Sequence, residues 1–161
     1  MDLFLIRHAQ AASLMDAGVI EDANRPLTDA GKNQAKEITA CFQRRKIQPS
    51  VLVSSPLLRA RETAEWMVKD WAGAPELRIC EELSPGGKRR GLARFLKDLG
   101  AEKVALVGHQ PDLGEFAAWL IGSRKAQIDI AKAGVACIHC DDNPGKGEGM
   151  LEWLITPEWF S

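Results

Sequence analysis

The chain predicts an α/β fold, a three-layer sandwich in which helices cover both faces of a mostly parallel central sheet. Three observations carry this. Short β-type runs alternate with helical ones along the whole length. The run Val104-Ala105-Leu106-Val107 is apolar at every position, as a strand covered on both faces must be. The helical segments repeat apolar residues three and four apart, the period of a buried stripe. At 161 residues the chain is expected to form one domain, residues 1–161, long enough to bury its own core.

Each element has a local reason. Leu3-Phe4-Leu5-Ile6 is a buried first strand. Residues 10–26, polar and containing Gly18 and Pro26, form a loop with a helical turn. Thr28 and Asp29 cap a helix running to about Arg45, with Ala35, Ile38 and Phe42 on its apolar face. Val51-Leu52-Val53 is the second strand. Ser54 or Ser55 caps the next helix, with Pro56 in its first turn, where a missing N–H costs nothing. Leu57, Ala60, Ala64, Met67, Val68 and Trp71 form the buried stripe of that helix. Residues 77–80 make a short strand ending at Glu81-Glu82, and Ser84-Pro85-Gly86-Gly87 a turn. Leu92, Phe95, Leu96 and Leu99 mark an amphipathic helix that Gly100 ends in the left-handed conformation. After the central strand comes a helix from about Asp112 to Ile121, stopped by Gly122. The tail reads as two strands, residues 134–140 and 150–155, joined through Asn143-Pro144-Gly145-Lys146-Gly147 as an antiparallel hairpin.

Composition narrows the function. Hydrophobic content of 45% with 27% charged residues is ordinary for a soluble globular protein. A net charge of -1 and a pI near 6.3 offer no bulk attraction to nucleic acid or to an anionic membrane, and neither is expected as a partner. Any anion must be held by a local cluster. No apolar stretch is long enough to span a bilayer, and Met1-Asp2-Leu3 lacks the features of a secretory signal. Cys41, Cys80, Cys137 and Cys140 are too few and too scattered for a disulfide scaffold. The expected location is cytoplasmic, with reduced thiols.

Such a cluster is visible. Arg7-His8, Ser54-Ser55-Pro56-Leu57-Leu58-Arg59 and Gly108-His109 each follow an apolar, strand-like run. In an open α/β sheet the carboxyl ends of the strands line the ligand crevice. The helix beginning near Pro56 adds backbone N–H groups and the positive end of its dipole. Two arginines match the oxygens of a phosphate, with Arg25 a third candidate. Positive neighbours disfavour imidazolium, so one histidine should be neutral and nucleophilic. A neutral imidazole attacks phosphorus and forms a phosphohistidine, while the arginines and the second histidine stabilise the transferring charge without a metal or other cofactor.

Arg7-His8-Ala9, Arg25-Pro26-Leu27-Thr28-Asp29-Ala30-Gly31, Ser55-Pro56-Leu57-Leu58-Arg59-Ala60 and Gly108-His109 together resemble the histidine phosphatase superfamily, in the expected order over most of the chain. Ala9 stands where the family usually has glycine. The resemblance implies a phosphoglycerate mutase-like fold. It implies a phosphatase acting through phospho-His8, with Arg7, Arg59 and His109 as the phosphate pocket and Arg25 as a further contact. The short chain and the compact Glu82-Leu83-Ser84-Pro85-Gly86 segment resemble the SixA-type protein phosphohistidine phosphatases, implying a phosphorylated protein as substrate. Acid phosphatases of the superfamily place an aspartate after the second histidine, where this chain has Gln110. Glu82 is the candidate proton donor, with Glu81 and Asp112 as alternatives.

Two other functions fit the same residues: a phosphatase for small phosphorylated metabolites, and a catalytically silent module that binds phosphate or phosphohistidine. His139, between Cys137 and Cys140, invites a zinc reading. A four-ligand site needs a second paired motif, which is absent, and strand alternation splits these side chains between two faces, so no metal site is expected. Lys88-Arg89-Arg90 reads as a solvated run before a helix, or as a steering patch for an acidic protein. Trp153 and Trp159 read as packing residues of the tail.

Overall fold

In the computed structural model, which describes residues 1–69 and 71–160, the apolar run 104–107 lies inside β4 (Lys103–Gly108) in the interior of a six-stranded sheet. The strand order is β3-β2-β4-β1-β5-β6. The first four are β3 (Glu76–Ile79), β2 (Val51–Ser54), β4 and β1 (Asp2–Arg7), all mutually parallel. The tail hairpin, β5 (Val135–Cys140) and β6 (Gly149–Ile155), adds two antiparallel strands beside β1.

Alternation along the strands divides the core in two. Leu3, Leu5, Val53, Val104 and Leu106 face one side, where they meet Leu92 and Leu96 of α4 (Arg89–Leu99) and Leu113, Phe116 and Leu120 of α5 (Asp112–Leu120). Phe4, Ile6, Leu52, Ala105 and Val107 face the other. There they meet Ala35, Ile38 and Phe42 of α2 (Asp29–Arg44) and Ala60, Ala64 and Met67 of α3 (Leu58–Lys69). Each fully buried large side chain contributes roughly 1.5–3 kcal/mol of transfer free energy. The expected layers and helix limits are present: Thr28 accepts a hydrogen bond from Gly31 N at 3.0 Å, and Gly100 ends α4 at φ +61°. The 10–26 loop carries a short helix, α1 (Leu14–Ala17), and a 3-10 turn, Asp22–Asn24.

One boundary differs from expectation. α3 starts at Leu58, so Pro56 precedes the helix instead of opening it. Ser55 is drawn into the sheet, its N–H donating to Val107 O at 3.0 Å, which leaves two residues to turn the chain before helix begins. Its hydroxyl accepts from Leu57 N at 3.3 Å.

The parallel register continues past the strand ends: His8 N–H donates to Gly108 O at 3.0 Å. With Arg7 paired to Gly108 and Ser54 to Val107, the ladder sets His8, Ser55 and His109 side by side at the carboxyl edge. Behind His8, a Cβ on Gly31 would lie 2.1 Å from the carbonyl oxygen of Gln10, so the first turn of α2 abuts the backbone there without a side chain. Gly31→Ala should therefore destabilise the fold by about 1–3 kcal/mol through overpacking against backbone, seen as a lower urea midpoint. An unchanged midpoint would show that this contact is slack.

Candidate active site

His8, Arg59 and His109 converge at the carboxyl edge of β1 and β4, and all three are buried. The tautomer of His8 follows from its partners. Its Nδ1 lies 2.8 Å from Ala9 O, a carbonyl that can only accept, so Nδ1 carries the proton. Nε2 is then the free base, and Arg59 Nε donates to it at 3.3 Å. Burial, with smaller contributions from the Arg59, Arg7 and Lys132 charges, lowers the His8 pKa to about 4, against the opposing Ala9 hydrogen bond. His8 is thus a neutral imidazole whose lone pair points at a guanidinium.

His109 lies beside it, with ring centroids 5.2 Å apart. Its Nε2 is 2.8 Å from Ser55 Oγ, and its Nδ1 is buried with no partner among the described residues. Burial and then the Arg59 charge bring its pKa to about 3. Because Ser55 Oγ already accepts from Leu57 N, its own proton is free to satisfy His109 Nε2. In that arrangement the His109 proton lies on Nδ1. Arg7 Nε is a second buried, unpartnered donor, while Arg7 Nη1 donates to Ile130 O at 3.0 Å. Orphaned buried donors are costly without an acceptor. Two of them beside a free imidazole and a guanidinium suit an oxyanion.

Arg59 is positioned by residues that the sequence did not single out. Asp22, in the 3-10 turn, takes Arg59 Nη1 on its carbonyl at 2.9 Å and Arg59 Nη2 on its carboxylate at 3.0 Å. The same carboxylate lies 2.8 Å from Arg25 Nε, off the hydrogen-bond direction, and Arg25 Nη1 donates to Ala12 O at 3.3 Å. Burial alone would raise Asp22; the Arg59 and Arg25 guanidiniums instead hold it below its usual carboxylate range. Arg25 therefore reaches the cluster through Asp22. Thr63, buried in α3, donates to Arg59 O at 2.7 Å and accepts from Ala9 N at 3.0 Å, fastening the arginine's helix to the residue after His8. Asp22 had only its place three residues before Arg25 as a signal, and Thr63 only its place four residues after Arg59.

The candidate acids sit farther along the rim. Glu82 lines the same recess as His109, and its carboxylate accepts from Lys88 N at 2.9 Å and lies against Gly91. Asp112 accepts from Gly86 N at 2.9 Å, and Glu81 is exposed. Among the described residues no group of three or more His, Cys, Asp or Glu could hold a metal ion. His139 pairs with Asp2 at 2.7 Å, which raises its pKa, while Cys137 is buried on the sheet with its thiol pushed up to about 12 by burial. All four cysteines are free and buried. Among the described residues no helix is long and apolar enough to cross a membrane.

The sequence and the fold both resemble known proteins. The family model for the histidine phosphatase superfamily (branch 1) matches residues 3–84. The chain is 36% identical to an uncharacterized protein of Picosynechococcus sp., covering 99% of both. It is 28% identical to the phosphohistidine phosphatase SixA of Escherichia coli K12, covering 98% of this chain and 94% of that one. Its backbone superposes on a protein histidine phosphatase SixA complexed with tungstate with a TM-score of 0.87, at 24% identity and 100% coverage of both chains. A putative alpha-ribazole-5'-P phosphatase of Escherichia coli shares the fold at a TM-score of 0.74, 19% identity and 98% coverage of both. The chain belongs to the histidine phosphatase superfamily, and its fold is that of SixA, phosphoglycerate mutase-like.

The two neutral histidines give the site a pH signature. Their folded pKa values, about 4 and about 3, lie below the unfolded value of about 6.5. Between these limits the unfolded chain binds more protons, so stability should rise with pH from about 4 to about 6.5. Urea unfolding across that window should show the slope, and His109→Gln should reduce it. The same slope in the variant would mean that His109 is not buried as a neutral ring.

Proposed function

We propose that the chain is a cytoplasmic phosphatase that removes the phosphoryl group from phosphohistidine on a protein, through a phosphorylated His8. The observation that carries this is the Arg59 Nε to His8 Nε2 contact, with the His8 proton held on Nδ1 by Ala9 O. A phosphoryl group entering the pocket would take the guanidinium for its oxygens and leave Nε2 facing phosphorus. Likeness to a phosphohistidine phosphatase over nearly the whole chain supports the substrate class.

Two displacements follow. His8 Nε2 attacks phosphorus as the P–N bond to the substrate breaks, and the bonding electron pair goes to the departing ring. Once the free nitrogen of that ring has taken a proton from water, it leaves as neutral imidazole. Arg59, Arg7 and His109 Nδ1–H share the charge on the equatorial oxygens. Water then attacks the phospho-His8 phosphorus, giving inorganic phosphate and restoring His8. The Nδ1 proton held against Ala9 O lets His8 depart as a neutral ring in this second step. The chemistry asks little of a carboxylic acid. Imidazolium has a pKa near 6.5, whereas an ester leaves as an alkoxide, which does need a proton. Glu82 as a donor would matter only for esters.

Steady-state kinetics on a histidine-phosphorylated protein, a sugar phosphate and p-nitrophenyl phosphate test the assignment. His8→Ala should abolish turnover of all three, and Arg59→Ala should lower kcat about 10²–10³-fold. Glu82→Gln should leave turnover of phosphohistidine and of p-nitrophenyl phosphate within about threefold while lowering sugar phosphate turnover further. Turnover of the sugar phosphate alone would assign the enzyme to small metabolites instead. A His8→Ala variant that binds phosphohistidine normally, from a wild type that turns over nothing, would make it a silent binding module.

A further inference from the structure

Beyond the catalytic recess, three separate segments place cations around one open groove. Arg89 and Arg90 come from the first turn of α4, Arg124 from the loop after α5, and Lys146 from the β5–β6 hairpin. Trp119 forms the half-buried floor, stacked on Phe116 at 5.9 Å. Among the described residues Glu115 is the one carboxylate lining the groove, and Arg89 already holds it at 3.4 Å. Among the described residues, Arg90, Arg124 and Lys146 make no ion pair. In a chain of net charge -1 this is a concentrated patch.

The patch also runs against the local rule for a helix. Cations in a first turn oppose the helix dipole, and α4 has no acidic residue in its own first turn and no side-chain cap. Glu82, the carboxylate at that end, is aimed at the backbone N–H of Lys88 rather than at the arginines. Such a conflict is expected where the residues serve binding. Its position is informative too. Arg89 lines both this groove and the recess of His109, so one side chain borders the two.

We propose that Arg89, Arg90, Arg124 and Lys146 form a docking surface for an acidic face of the protein whose phosphohistidine enters the pocket. This rests on reading the pocket as a protein phosphohistidine phosphatase site. The four cations are exposed, as suits the rim of a protein contact rather than an enclosed anion site. A small ester held at His8 would touch none of Arg90, Arg124 or Lys146, whereas a protein would cover recess and groove together. Complementary charge would act mainly on encounter, and salt would weaken it.

Two phosphohistidine peptides test this, one with roughly six acidic residues on each side of the histidine, about 20 Å of extended chain, and one with glutamine at those positions. Wild type should prefer the acidic peptide about tenfold in kcat/KM at low ionic strength, through KM, and lose the preference at high salt. The triple variant Arg90→Glu, Arg124→Glu, Lys146→Glu should abolish the preference and leave turnover of inorganic phosphoramidate unchanged. The pair Arg124→Gln, Lys146→Gln, confined to loops, should halve it or more and guards against a misfolded triple variant. Equal turnover of both peptides by wild type, or a preference that survives both variants, overturns the docking surface and leaves the phosphohistidine reading standing. Failure of wild type on both peptides, with turnover of sugar phosphates, overturns both.

Discussion

A buried guanidinium against an imidazole is the constraint from which the rest follows. Arg59 is only 5% exposed, and an unpaired charge at that depth would be costly. Three neighbours make it tolerable: the Asp22 carboxylate, the Asp22 carbonyl and His8 Nε2. The last of these works only while His8 is neutral, and Arg59 in turn helps keep it neutral. The pair therefore selects one protonation state and one tautomer. That state is also the one able to attack phosphorus.

The fold supplies the setting by ordinary means. Two faces of alternating apolar residues hold the sheet between helix pairs, and the parallel ladder carries beyond the strands through His8 N to Gly108 O and Ser55 N to Val107 O. These two bonds fix the heights of His8, Ser55 and His109 relative to one another. Thr63 and Asp22 then aim Arg59. Precision at the pocket thus derives from strand register and from two short side chains, one of them on the 10–26 loop.

How much of this was legible in the sequence varied with the range of the interaction. Strand interiors, the Thr28 cap and the Gly100 stop depend on neighbours a few residues away, and they could be read locally. So could the gathering of His8, Arg59 and His109, because each follows a buried strand and strand ends share an edge. The start of α3 was misplaced because a tertiary bond decides it: Ser55 pairs with Val107 and serves His109, so it cannot open a helix. Asp22 was invisible for the same reason, since nothing near it in sequence shows that Arg59, thirty-seven residues on, needs its carboxylate. Arg25, expected as a further phosphate contact, also pairs with the Asp22 carboxylate at 2.8 Å. The roles of Glu82 and Asp112 depend on backbone N–H groups that only the folded turn presents.

The central claim is that His8 Nε2, not Nδ1, is the atom that takes the phosphoryl group. Enzyme labelled with ¹⁵N-histidine, quenched in alkali during turnover of a phosphohistidine protein, would show by ¹⁵N–³¹P coupling which nitrogen is phosphorylated, and peptide mapping would show which histidine. The account predicts a single adduct at Nε2 of His8. A phosphoryl group on Nδ1, on His109, or on no histidine under conditions of rapid turnover would contradict it.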